Sequence, residues 1–200
     1  MALYHFSVRH VSRGKGQMVV ASAAYISGQR IYDGYYNKIH DYTSKSGVVF
    51  TEILTPEYVP ERMTDRETLW NEVEHVERNN KAQLAYSFDI ALQSELTLEE
   101  NIRLAKEFCQ EQFVVRGMIV DLAVHEGKSD NEEEPDNPHF HVLAPIRPFT
   151  EEGIWGNKQR REYILDEDGN RVKDAKGKDM FNAVSTTGWN DPELLKEWRG

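Results

Sequence analysis

The chain has 200 residues, a formal net charge of −10, 39% hydrophobic residues and one cysteine. That length suits one domain with a core that needs no covalent staples, and the lone Cys109 excludes an intramolecular disulfide, which fits a reducing cytoplasm. No apolar run approaches the length of a membrane span and no signal peptide opens the sequence, so a cytoplasmic protein without a membrane partner is expected.

The negative charge argues against a nucleic-acid partner, but it is unevenly spread. Much of it sits in Glu132-Glu133-Glu134 and Asp136, and in glutamates of segments 66–80 and 97–112. Basic residues gather at Arg9, Arg13 and Lys15, and again at Lys158, Arg160 and Arg161.

Residues 3–10 alternate, with Tyr4, Phe6 and Val8 on one face and His5, Ser7 and Arg9 on the other, which predicts a half-buried strand with a polar working face. After a turn at Gly14-Lys15-Gly16, a helix is expected from about Met18 to Tyr32. Its Ala21-Ser22-Ala23-Ala24 run permits close approach of a neighbour, and Tyr25 follows at once. Residues 33–47 read as a loop and Val48–Leu54 as a short strand. A second helix is expected over about Asp65–Asn79, with Leu69, Trp70, Val73 and Val76 at helical spacing and Thr64 with Glu67 as a capping box.

Ala82–Leu92 reads as a strand. Thr97 and Glu100 open a third helix to about Val114, whose buried stripe is Ile102, Leu104, Ala105, Phe108 and Cys109. Gly117 ends it. Met118–His125 is apolar enough for a central strand, 126–138 is an acidic loop and Phe140–Ile146 is the partner strand. Hairpin-type turns are expected at 166–170 and 174–178, then a final helix from Pro192. Its pattern of Leu194, Leu195 and Trp198 gives no reason to stop at Gly200, so residues 1–200 are expected to be one domain at the front of a longer protein. Three antiparallel strands with helices between them predict an α+β fold, an antiparallel central sheet flanked by helices.

The chemistry centres on His125, His139 and His141. The last two are two apart and share a strand face; if the flanking strands pair, three imidazoles converge. Three imidazoles with open positions describe a catalytic metal site, and imidazole suits Zn, Mn, Fe, Ni and Cu alike. Asp121 has the parity of His125 and is either an orienting partner or a carboxylate on a solvated face. Asp89 either serves the metal or a proton, or has no role on its face. Tyr25 is either a side-chain nucleophile or an ordinary aromatic; a metal-bound water is the alternative nucleophile.

A histidine, a loop and His-Phe-His, preceded by a helix with a tyrosine, resembles the HUH endonuclease superfamily. More narrowly, Tyr4-His5-Phe6-Ser7-Val8, Ser12-Arg13-Gly14-Lys15-Gly16-Gln17, Ala23-Ala24-Tyr25, Gly117-Met118-Ile119-Val120-Asp121, Asn137-Pro138-His139-Phe140-His141 and Trp189-Asn190-Asp191-Pro192 resemble the MobA/MobL (MobQ-type) conjugative relaxases. The matches run in order along nearly the whole chain. The resemblance implies an HUH-relaxase-like sandwich of two or three layers that nicks the origin of transfer of a mobile element. Tyr25 would form a 5′-phosphotyrosine and release a 3′-hydroxyl, assisted by a divalent ion, with Mn or Mg in use and Ni, Co or Zn also fitting the site. It implies single-stranded DNA beside a hairpin as substrate, with accessory relaxosome proteins and a coupling protein as partners. Arg9, Arg13, Lys15, Arg30, Lys158, Arg160 and Arg161 are the expected phosphate contacts.

One departure stands out. Where the family's strand usually continues Arg-Glu with another acidic residue two further on, this chain has Tyr86, Ser87 and Asp89, so only the second carboxylate is kept. Rival readings are a rolling-circle initiator or single-strand transposase, a water-using metal phosphoesterase, and a DNA-hairpin-binding module that does not cut.

Overall fold

The computed structural model describes residues 5–127 and 137–199, in two compact units that meet in sequence at Trp155 and Gly156. Tyr4 and the acidic run Glu132–Asp136 lie outside the described residues. No helix among the described residues is long and apolar enough to cross a membrane.

In the first unit, β1 (Phe6–Ser12), β4 (Val48–Leu54), β5 (Gln83–Ala91), β6 (Val120–His125) and β7 (His139–Pro145) form one sheet in the order β1-β5-β7-β6-β4, with every neighbouring pair antiparallel. The sheet therefore has five strands where three were counted from the sequence; the N-terminal strand and 48–54 supply its edges. β6 is buried along its whole length, as a strand covered on both faces must be.

Opposite faces of the sheet hold different helices. α3 (Leu98–Gln112) opens with the expected Thr97/Glu100 capping box, and its Phe108 packs on Phe140 of β7. Phe113, just beyond it, packs on Phe88 of β5, and Cys109 is buried between them in sequence. The other face takes α1 (Val19–Ser27) and α2 (Arg66–Val76). Here Val19, Val20, Ala23, Ala24, Leu69, Trp70 and Val73 join Ala85, Ala123 and Leu143 in one apolar cluster. Each fully buried valine or leucine among them contributes about 1.5–3 kcal/mol. The layers are thus helix, sheet, helix.

The sequence-derived boundaries need three corrections on this face. α1 stops at Ser27, because Gly28 takes the left-handed conformation (φ 63°) and caps it; it does not continue to Tyr32. Residues 30–41 then form a hairpin of β2 (Arg30–Asp33) and β3 (Lys38–Asp41) where the end of a helix and a loop were expected. The cap of α2 is Asp65, whose carboxylate accepts from Thr68 N; Thr64 lies in the preceding 3-10 turn and Glu67 accepts from Tyr32 N instead.

In the second unit, β8 (Gln159–Tyr163) pairs with β9 (Phe181–Ser185), two strands that the polar composition concealed. The expected turns are present, closed by Gly169 N to Asp166 O and Gly177 N to Asp174 O. α4 (Pro192–Arg199) ends the described chain.

Candidate metal centre

His125 closes β6 and His139 opens β7, and the antiparallel register sets them opposite one another. His141, opposite Ala123, projects from the same face. The ring centroids are 5.2, 4.7 and 4.9 Å apart, and one nitrogen of each ring lies within 4.8 Å of the other two.

Backbone carbonyls orient two of the rings. Nε2 of His125 donates to the Ile26 oxygen at 2.7 Å, and Nδ1 of His139 donates to the Asn137 oxygen at 2.8 Å. A carbonyl only accepts, so each of those nitrogens carries a proton and the opposite nitrogen of the ring is the one that can ligate. Burial pushes the His141 imidazolium down to about 4, partly opposed by the charge of Asp89. Burial lowers His125 as well, opposed by its bond to Ile26. Near neutral pH both rings are therefore uncharged, which is the form that binds a metal. Three imidazoles converging from one face of the sheet fit a divalent ion that retains open positions.

Tyr25 stands on α1, half exposed at 50%. It lines two cavities. One, of about 630 Å³, is shared with the three histidines and Lys45. The other, of about 520 Å³, lies between α1 and the sheet and is walled by Ser7, Arg9, Gln17, Ser87, Asp89 and His141. Asp89 is the cross-strand neighbour of His141.

The chain matches the model of the MobA/MobL family over residues 17–200. It belongs to the MobA/MobL family. It is similar to conjugal transfer protein TraA of Agrobacterium fabrum, 36% identical over 95% of this chain, and to the probable mobilization protein MobA of Bifidobacterium longum, 34% identical over 86%. Mobilization protein MobL of Acidithiobacillus ferridurans is 32% identical over 78%. The chain spans 18%, 30% and 41% of the length of those three relatives. A solved structure described as the molecular basis of vancomycin resistance transfer in Staphylococcus aureus superposes with a TM-score of 0.79 at 34% identity, covering 98% of this chain and 87% of that one.

In this MobA/MobL chain, the fold gathers Tyr25, Asp89, Arg9 and the three histidines around the two cavities. Two residues named from the sequence are placed elsewhere. Asp121 is fully buried on the histidine side of β6, but its carboxylate takes Nε and Nη2 of Arg66 and Nε1 of Trp70, all within 3.0 Å; it ties α2 to the sheet, and His125 is turned by Ile26 instead. Arg13 is buried too. Its guanidinium donates to the carbonyls of Glu74, Glu77 and Asn79 and to the Glu74 carboxylate at 2.6 Å, with the Tyr35 ring 4.3 Å away, so it is committed inside the protein.

Lys15 is exposed on the turn after β1, and Arg30 is exposed on β2, 3.8 Å from Asp41. Lys158, Arg160 and Arg161 belong to the second unit, where Arg160 pairs with Glu162 and Arg161 lies over Phe181. Two contributors were missed. Lys45 sits in a Ser/Thr/Gly stretch with no signal beyond its charge, and Ile26 acts through its carbonyl, which no side-chain pattern reveals.

Proposed function

We propose that this chain is the relaxase domain of a conjugative or mobilisable element, a site- and strand-specific DNA nicking and closing enzyme of the bacterial cytoplasm, its two units serving one domain. The observation that carries the reading is that Tyr25, half exposed on α1, lines the same cavity as the three clustered histidines. The conjugal transfer and mobilization names of its relatives support it.

The phenolic oxygen of Tyr25 attacks the scissile phosphorus in line. The new bond joins Tyr25 to the 5′-phosphate, the bond to the 3′-oxygen breaks, and that oxygen leaves as a hydroxyl after taking up a proton. Asp89, which lines the second cavity together with Tyr25, would accept the proton that the phenol gives up. Because one phosphoester replaces another, the strand can be rejoined without ATP. His125, His139 and His141 would hold a divalent ion, which when bound supplies Lewis acidity at a phosphoryl oxygen. Arg9 shares the Asp89 cavity and is suited to a neighbouring phosphate; Lys15, Arg30, Lys158, Arg160 and Arg161 would follow the backbone of single-stranded DNA and its adjacent hairpin. Accessory relaxosome proteins and a coupling protein are the expected partners.

The test is incubation with a single-stranded oligonucleotide from the element's own transfer origin and Mn²⁺ or Mg²⁺. A protein–DNA adduct that survives denaturation is expected, lost in Tyr25→Phe and on chelation. Cleavage that persists in Tyr25→Phe would replace the covalent reading with a water-using phosphoesterase. Tight binding without cleavage would leave a DNA-binding module.

A further inference from the structure

An α-helix ends with carbonyls that have no partner within the helix. At the end of α1 these carbonyls reach into the site. Ala24 O accepts from the backbone of Gly28 and Gln29, the ordinary closure. Tyr25 O accepts from Nζ of Lys45 at 3.0 Å, and Ile26 O accepts from His125. The turn that carries Tyr25 is therefore bonded through consecutive carbonyls to a lysine and to a histidine of the metal cluster.

Lys45 also covers the side chain. Its ammonium lies 3.7 Å from the centroid of the Tyr25 ring, while Tyr42 meets the same ring edge-on at 5.3 Å. The turn from Tyr42 to Lys45 is closed by Lys45 N to Tyr42 O at 2.9 Å, so the two residues that flank the phenol are fixed to each other. A surface lysine would ordinarily extend its strongly hydrated ammonium into water. This one is half-buried on an aromatic face, at a helix C-terminus that favours a cation, in the cavity that also holds His125, His139 and His141.

We propose that Lys45 is a positioning residue for Tyr25, holding the phenol-bearing turn and setting a fixed positive charge beside the cavity that receives the anionic phosphoryl group. The proposal rests on Tyr25 as the nucleophile. It differs from the phosphate contacts along the DNA path, since Lys45 acts on the orientation of the attacking group and on charge at one point.

The experiment compares Lys45→Met and Lys45→Arg with the unaltered chain, measuring adduct formation in a single turnover at saturating oligonucleotide, oligonucleotide affinity, Mn²⁺ affinity by calorimetry, and Tm. Lys45→Met is expected to slow adduct formation about tenfold or more, because a misplaced nucleophile loses effective concentration. DNA affinity should change far less. Mn²⁺ should bind more tightly, since a like charge has left its cavity; a merely structural lysine would not produce that change of sign. Lys45→Arg, which keeps the charge and stacks on aromatic faces, should recover most of the rate. An unchanged rate in Lys45→Met overturns the proposal. So does a rate loss that only follows a loss of Tm and Mn²⁺ affinity and that Lys45→Arg does not relieve. Adduct surviving Tyr25→Phe defeats the nucleophile reading itself, whereas adduct lost in Tyr25→Phe but unaffected by Lys45→Met defeats the Lys45 proposal alone.

Discussion

At Gly127, two residues past His125, the backbone has φ 56°, and a Cβ would fall 1.9 Å from the Asn137 carbonyl oxygen. That oxygen is the acceptor that fixes the ring of His139. A side chain at 127 would have to push rigid backbone rather than a flexible neighbour, and the displaced carbonyl would release the ring from its tautomer and orientation. Gly127→Ala is accordingly expected to weaken Mn²⁺ binding about 10- to 100-fold, the usual effect of losing such a support. Calorimetric titration checks this; wild-type affinity in the variant would mean that His139 is held by strand pairing alone. The same residue-scale logic separates Arg13 from Arg9. Both lie in one basic run, yet Arg9 faces a cavity from β1 while Arg13 is enclosed by carbonyls.

Among the elements, α1 is held at both ends by groups from outside it. Its last carbonyls bond to Lys45 and His125, and at its start Val19 N donates to the Glu74 carboxylate, which also takes Arg13. Glu74 thus does the work of an N-cap from a neighbouring helix while neutralising a buried guanidinium. Removing it strands that charge, so Glu74→Ala should cost about 3–5 kcal/mol in urea unfolding. A cost of about 1 kcal/mol or less, the size of a single lost cap, would show that the three carbonyls around Arg13 suffice without the carboxylate.

Elements with strong local patterns were legible in the sequence. The alternation of β1, the capping box of α3 and the apolar run of β6 each announce a structure whose cause is local. The histidine cluster was legible because strand parity and pairing are enough to bring the rings together. The β2–β3 hairpin was not, since its four-residue strands are too short for a period to show, and the first helix was read straight through Gly28, the residue that caps it. The burial of Arg13 and the engagement of Asp121 depend on α2 packing across the sheet, a long-range fact that no residue spacing contains.

For the molecule as a whole, a net charge of −10 must be reconciled with a polyanionic substrate. Of the seven basic residues singled out as phosphate contacts, Arg13 is withdrawn into the interior, which leaves six. If all six touched single-stranded DNA, log K against log salt would fall with a slope of about −4. A shallower slope is expected, because Arg30 and Arg160 already face carboxylates. Fluorescence anisotropy across a salt series measures it; a slope steeper than about −4 would require basic contacts outside this set.

The backbone bond from Asn137 N to Gly127 O, 2.9 Å long, joins the two ends of the segment between β6 and β7. The histidine geometry is set by strand register on the near side of that closure, with His125 opposite His139 and Ala123 opposite His141. The Gly127–Asn137 clasp thus gives the two strands a common end, and the imidazoles keep their spacing for as long as that one bond and the strand register hold.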